Sequence, residues 1–355
     1  MVTIKEIAKA AAVSPATVSR VLNYDPTLSI SPAKRQAVIE TAEALNYATP
    51  RNRNRAQAGP LQLPNRVLAI PRLAIVHFLE PSEELIDPYY IGVRLGIENR
   101  CREYRIEAVK VFHSEAVTAG ALLQSVSGAI VVGKHSRQEI AWLFEHARHL
   151  VFADFVPRRE DLDYVCSDLG LATRKILDGL ASAGYQRIAF IGAHDPVSAD
   201  GGMFGERRCR AYIEWQRERG GFDADLMALS SPDDHRHGQN LRLEVGYEQA
   251  KVILARTTRP DALVMANDNL AIGAYRAIQE AGLSIPNDIA VVSYNDIPVA
   301  QFLNPPLSTM RILSEAIGET AVDLLVERIQ GREYAKHVIL PTEMIWRESC
   351  RKPII

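Results

Sequence analysis

The sequence lacks the features that define several whole classes of protein. Its four cysteines, Cys101, Cys166, Cys209 and Cys350, lie far apart in 355 residues and form no CxxC pair. That excludes a disulfide-stapled scaffold or a zinc ribbon and points to reduced thiols in a cytosol. The longest apolar stretch, Val67 to Leu79, is broken by Pro71 and Arg72. It falls well short of the ~20 residues that a membrane helix needs. No apolar segment follows Met1-Val2-Thr3-Ile4-Lys5-Glu6, so no signal peptide is expected. Catalytic signatures are missing too: there is no HExxH, no GxSxG, no P-loop and no GxGxxG after the first strand. The nine histidines show no metal-ligand spacing, and His235 with His237 in a polar loop is the nearest approach to one. The expectation is a cytoplasmic chain that is not an enzyme, with no catalytic residue, no cofactor and no metal.

What is present is ordinary in bulk and uneven in placement. At about 150 residues per domain the length implies two or three domains. Apolar residues make up 47% and charged residues 24%, the balance of a globular chain. The net charge of -2 hides an asymmetry: the first 59 residues carry eight Lys/Arg against four Asp/Glu, so +4 sits there and -6 on the rest. A small basic module on an acidic body suits a chain whose one end meets a polyanion.

That basic module reads as three short helices. Thr3 and Glu6 form a capping box ahead of Ile4, Ile7, Ala8 and Ala11 at helical spacing. Ser14 followed by Pro15 opens a second helix through Leu22, and Ser31 with Pro32 opens a third with Val38, Ala42 and Leu45 on its buried stripe. Two short helices joined by a tight turn fit a helix-turn-helix, whose second helix enters the DNA major groove. The small residues that open that helix allow close approach, and Arg20 is long enough to grip a guanine edge. The polar stretch Thr49 to Pro64 reads as a linker.

From Arg66 onward, apolar runs alternate with helical stretches. One set comprises Leu73–Phe78, Ile106–Phe112, Ala129–Val132 and Leu150–Ala153; a second comprises Arg187–Ile191, Leu226–Leu229, Ala262–Ala266 and Ile289–Ser293. Such alternation predicts βαβ units and parallel sheets in two similar lobes, with crossings near Asp163–Cys166 and Asn295–Pro306. The expected division is a helix-turn-helix domain with hinge over 1–58, a linker over 59–70 and a two-lobed α/β core over 71–355.

The run from Val2 to Ala8 and that from Val13 to Asn23, together with Asn46-Tyr47, Tyr185 to Gly192, Asn267 to Gly273 and Pro305 to Thr309, resemble the LacI/GalR family of bacterial repressors along the whole chain. The resemblance implies an all-α headpiece, a periplasmic-binding-protein-like core, a palindromic double-stranded DNA operator, a homodimer, and a small effector, a sugar, between the lobes. It implies that Pro15, Ala16 and Arg20 read base edges. Thr3, Ser14, Thr17, Ser19 and Asn23 would face phosphates or cap helices. Arg51, Arg53 and Arg55 would either hold phosphates or belong to a tether. Two positions depart from the family pattern: Ala12 stands where a turn glycine is usual, and Ala56 where a leucine wedges into the minor groove.

For the effector, the resemblance points to Asp87, Tyr89, Tyr90, Asp154, Arg208, Asn267 and Asn295. Carboxylate, guanidinium and amide together suit a polyhydroxylated ligand, whose hydroxyls both donate and accept. Asp87 also reads as the cap of the helix opened by Pro88, and Asp268 reads as a helix N-cap. Of Tyr89 and Tyr90, one is expected to face the ligand and the other to pack. The alternative, a cytosolic sugar-binding protein or sugar-metabolising α/β enzyme without DNA function, leaves the +4 headpiece unexplained.

Overall fold

The computed structural model describes residues 4–11, 13–22, 30–31, 34–38, 41, 72–85, 87–112, 116–157, 159–193, 206–230 and 241–353. The chain divides into two compact units, Met1–Leu68 and Ala69–Ile355.

In the first unit, α1 spans Ile4–Ala10 and α2 spans Pro15–Leu22. Ile7 and Ala8 of α1 and Val18 and Val21 of α2 share a small core with Val38. Ser14 ends the turn: its Oγ accepts the Thr17 N–H at 3.1 Å, with Pro15 at the first helical position. Ser31 opens the third helical segment, accepting the Lys34 N–H at 3.4 Å. Thr3, Ala12 and Ala56 lie outside the described residues, as do Ala42 and Leu45.

The second unit holds two sheets of six strands. Lobe A is built from β1 (Arg72–His77), β2 (Glu107–Phe112), β3 (Gly128–Val132), β4 (Leu150–Ala153), β5 (Asp163–Ser167) and β11 (His337–Leu340), in the order β11-β5-β4-β3-β1-β2. Lobe B is built from β6 (Ile188–Ala193), β7 (Met227–Ser230), β8 (Ala262–Met265), β9 (Ala290–Asn295), β10 (Ser308–Ile312) and β12 (Thr342–Ile345), in the order β12-β10-β9-β8-β6-β7. The two orders are the same doubly wound topology repeated, parallel throughout except where β12 runs antiparallel to β10. Residues on both faces of β3, β6 and β8 are buried, which is why these strands read as unbroken apolar runs.

The helices show how the lobes are tied. Lobe A carries α3 (Pro81–Glu84), α4 (Pro88–Glu103), α5 (Ala116–Ser125) and α6 (Arg137–His146). After β5 the chain crosses into lobe B as α7 (Leu169–Ser182), which packs on α8 (Arg207–Glu218); α9 (Leu243–Leu254) and α10 (Asp268–Glu280) complete that lobe. After β10 the chain returns to lobe A as α11 (Ser314–Ile329), which lies on α4 and on β3, β4 and β5. A third passage joins β11 to β12.

The crossings therefore differ from those expected: Asp163–Ser167 is itself a strand, the segment 295–306 stays within lobe B, and the passages fall at Asp168, Leu313 and Pro341. Both lobes use one packing device. A Cβ on Gly96 or Gly318 would collide with backbone across the α4–α11 crossing, and one on Gly246 or Gly273 would do so across α9–α10. Only glycine lets those backbones approach so closely.

All four cysteines are buried free thiols. No helix of the described residues is long and apolar enough to cross a membrane.

Candidate functional site

The period of α2 sorts its residues. Val18 and Val21 point into the core, while Pro15, Ala16 and Arg20 are exposed and Thr17 and Ser19 are half-buried. The outward face thus carries the three residues expected to read bases. Ser14 and Thr17 are also tied to each other, Oγ to Oγ1 at 2.8 Å, so capping accounts for both side chains. Asn23, Arg51, Arg53 and Arg55 lie outside the described residues.

In the second unit, the C-terminal ends of the parallel strands carry most of the remaining candidates. In lobe A, β1 ends at His77-Phe78, β3 at Gly133-Lys134 and β4 at Asp154, beside the first turn of α4. Asp87 caps α4, its Oδ1 accepting the Tyr89 N–H at 3.2 Å. The Tyr90 hydroxyl donates to Asp154 Oδ2 at 3.2 Å, and its ring meets Phe78 edge-on at 4.8 Å between centres. Tyr89 belongs to the core; its buried hydroxyl is near Asp154 but closes no hydrogen bond of good geometry. Tyr90 is the tyrosine that faces the strand ends.

Two residues here hold backbone that side chains rarely adopt. Asp154 sits at φ 58°, and Gly133 at φ 77° lies directly under the Phe78 ring. Burial pushes the Asp154 carboxyl up, with the Tyr89 and Tyr90 hydroxyls and the charges of Arg208 and Lys134 opposing it. Asp87 is pushed up to about 6, chiefly by burial, with the Tyr89 N–H opposing it and the Asp154 charge adding to it.

Lobe B presents Arg208 from the first turn of α8. Its side chain is buried, and its Nε donates to Glu206 Oε1 at 2.9 Å. One guanidinium nitrogen, Nη1, bonds the Ala266 carbonyl, and the fork lies 5.5 Å from the Tyr294 ring centre. Glu206 caps the same helix, its Oε2 accepting the Arg208 N–H at 3.0 Å and the Cys209 N–H at 3.1 Å. Burial raises the Glu206 carboxyl, but Arg208, Lys134 and the cap bonds outweigh it and leave it below its ordinary range.

Asn267 and Asp268 exchange the roles that spacing suggests. Asn267 is the N-cap of α10: its Oδ1 accepts the Leu270 N–H at 2.9 Å and its Nδ2 donates to the Leu241 carbonyl at 3.1 Å. Both ends of that amide are engaged inside lobe B. Asp268, one position later, is rotated into the sheet. It accepts the Thr309 hydroxyl at 2.8 Å, the Ile297 N–H at 2.8 Å and the Ser293 hydroxyl. Asn295 ends β9 half-buried at φ 109°, and Asp296 follows at φ 55°. Strained strand ends of this kind cluster at ligand sites.

The lobes are also joined directly. Arg208 exerts its charge on Asp154 and Tyr90 of lobe A, and Lys134 of lobe A on Glu206. Near the start of α9, Arg242 Nη2 donates to Glu83 Oε1 at 3.1 Å across the cleft. Buried side-chain atoms without a hydrogen bond also lie at the ends of three strands: His77 Nε2 on β1, Ser167 Oγ on β5 and Ser230 Oγ on β7. Native interiors rarely leave such atoms unpaired, and a polar ligand or water would satisfy them.

Tyr90, Asp154 and Arg208 are thus brought together, Asn295 lies at the matching edge of lobe B, and Asp87, Tyr89 and Asn267 serve helix starts and core. Sequence reasoning missed Phe78, Lys134 and Glu206. Lys134 follows a glycine at a strand end, and Glu206 stands two residues before Arg208; those spacings were the available signals. Among the described residues no group of His, Cys, Asp or Glu could hold a metal ion.

Two family models match the chain: bacterial regulatory proteins of the lacI family over residues 3–50, and a periplasmic binding protein-like domain over residues 177–350. The chain is 34% identical to the HTH-type transcriptional repressor MelR of Bacillus subtilis (strain 168) over 352 residues, 99% of this chain and 98% of that protein. It is 76% identical to the lactose operon repressor of Rhizobium radiobacter over 110 residues, 31% of this chain and 97% of that sequence. Among solved structures, the transcriptional regulator CelR in complex with cellobiose shares the fold, with a TM-score of 0.67 at 26% identity over 98% of this chain and 100% of that one.

Proposed function

The chain belongs to the LacI family of bacterial regulatory proteins, and from that premise we propose that it is an operator-binding repressor of a sugar-utilisation operon, released by a small sugar bound between its lobes. Family members are transcriptional regulators, not enzymes. The single observation that carries the effector half of the reading is the convergence of Tyr90, Asp154 and Arg208 at the carboxyl ends of the parallel strands, where open α/β sheets take ligands. The DNA half rests on the exposed face of α2, with Pro15, Ala16 and Arg20 toward the bases. Thr3, Asn23 and the arginines at 51, 53 and 55 would add phosphate contacts, and a palindromic site would call for a homodimer.

A β-galactoside is the effector we favour. The lactose operon repressor of Rhizobium radiobacter supports that choice by its name and its likeness. So do the stretches Asp25 to Leu28, Asp87 to Tyr90, Val132 to Lys134 and Asn295 to Pro298, which resemble the repressor of the evolved β-galactosidase operon.

An effector acts only through its different affinity for two lobe arrangements. The test is selection of bound sites from random DNA, followed by titration of the complex with lactose, galactose and cellobiose. A palindromic consensus released by a galactoside is the expected outcome. Binding without sequence preference would remove the DNA reading, and indifference to every sugar would remove the effector reading.

A further inference from the structure

We infer that Glu206 sets the ligand class of the cleft: it holds Arg208 in one orientation and masks its charge, so that the site takes an uncharged ligand and rejects an anionic one. The inference rests on the proposed effector site.

An arginine in a ligand cleft is by default an anion receptor, because its fork matches phosphate and carboxylate. In this chain part of the fork is already taken. Nε is held by Glu206 Oε1 at 2.9 Å and Nη1 by the Ala266 carbonyl, and the Tyr294 ring lies beside the plane. Glu206 thus removes Nε from the side-on pair that Nε and Nη2 would otherwise present to an anion. The charged groups lean the same way: Arg208 and Lys134 face the carboxyls of Glu206 and Asp154, with Asp87 beside Asp154, so the cations do not outnumber the acids. With the side chains of Arg208 and Glu206 only 8% and 7% exposed, solvent does little to screen their pairing. What such a site offers is hydroxyl acceptors on Asp154 and on the Tyr90 oxygen and an aromatic ring at Phe78, a set that suits a neutral glycoside.

Glu206 is a positioning residue and also the N-cap of α8, so a purely structural role must be told apart from this one. E206Q keeps an oxygen for the two cap bonds but loses the charge, and its amide turns a donor toward Arg208 Nε. E206D keeps the charge on a shorter stem. Calorimetric titration of the parent, E206Q and E206D with lactose, galactose 6-phosphate and inorganic phosphate separates these roles, with a thermal melt of each to verify folding.

E206Q should lose at least about tenfold for lactose, the size of one charge-assisted hydrogen bond. It should gain about tenfold or more for both phosphates, while E206D gains nothing for either. A parent that binds galactose 6-phosphate as tightly as lactose overturns the inference. So does E206Q with the parent's phosphate affinity, or equal gains in E206Q and E206D. If lactose does not bind the parent, the galactoside reading fails by itself, and the response to inorganic phosphate still decides the part played by Glu206.

Discussion

Removing the Arg208 side chain should cost stability as well as effector response, and the structure gives the scale. R208A deletes the partner of Glu206, whose carboxylate is almost fully enclosed, and strips a positive charge from beside Asp154. Breaking a buried ion pair from one side costs about 3–5 kcal/mol, because the remaining charge is stranded. Glu206 keeps its bonds to the Arg208 and Cys209 N–H groups, which places the expected loss near the lower end, about 3 kcal/mol. For a unit of the size of Ala69–Ile355 that is a melting temperature lower by about 5 °C.

Taking both charges away together, as E206Q/R208M, leaves no stranded ion and refills the volume. The double variant should therefore lie about 2 kcal/mol above the sum of its singles. Thermal unfolding followed by circular dichroism on the parent, the singles and the double variant measures this. A melt of R208A within about 2 °C of the parent would falsify the argument, and so would strict additivity. The practical consequence is that weak effector response in R208A mixes lost contact with lost packing, whereas R208K keeps the charge and isolates the geometry.

Three further outcomes are expected. Gly273→Ala, at the backbone contact with Leu243 and Tyr247, should destabilise by about 1–3 kcal/mol despite alanine's better helix propensity, while Gly170→Ala in the open first turn of α7 should not; equal melts for the two would refute the packing account. His77 is held down to about 4 by burial, with the charges of His135 and Arg94 adding to the effect. Its contribution to stability is thus full above pH 6.5 and lost as the pH falls toward 4, at most about 3 kcal/mol. Asp87 and Asp268, both raised to about 6, work in the opposite sense, stabilising at low pH and losing that effect as the pH rises through 6. Melts of H77N from pH 7.5 to 4 should accordingly be flatter than the parent's, and superimposable profiles would discard the assignment. Arg20→Ala should cost about 1–3 kcal/mol per half-site and relax preference at one base position; an unchanged selected consensus would remove Arg20 from the base readers.

How far the sequence could be read depended on where each element sits. Strands flanked by helices on both faces, such as β3 and β8, announce themselves as apolar runs. β5 opens with the fully buried Asp163, which Arg328, Arg332 and the Lys336 N–H satisfy from a segment more than 160 residues away, and no local pattern reports that. The edge strands β11 and β12 are only partly buried and resemble loops. α11 has no starting signal because Leu313, its cap, makes no side-chain capping bond. Within the site, Asp154 and Arg208 could be placed through the family pattern. The exchange between Asn267 and Asp268 could not, since one residue on a helix turns a side chain through about 100° and only the sheet beside it decides which one is enclosed.

The return of α11 and β11 to lobe A has a consequence for synthesis. The first five strands of lobe A leave the ribosome by Ser167, yet the helix that covers α4 and the strand that borders β5 end only at Leu340. At about 5–20 residues per second that interval lasts roughly 9–35 s. Throughout it, the Val93, Gly96 and Ile97 face of α4 has no permanent cover, while lobe B is made as far as β10. Lobe A therefore waits for the return passage, and a chain stopped after Ile312 would lose α11 and β11 from its first lobe as well as β12 from its second. The nascent chain must keep that face from aggregating until the helix at Ser314–Ile329 and the strand at His337–Leu340 appear, which makes this segment the step that commits both lobes to one folded body.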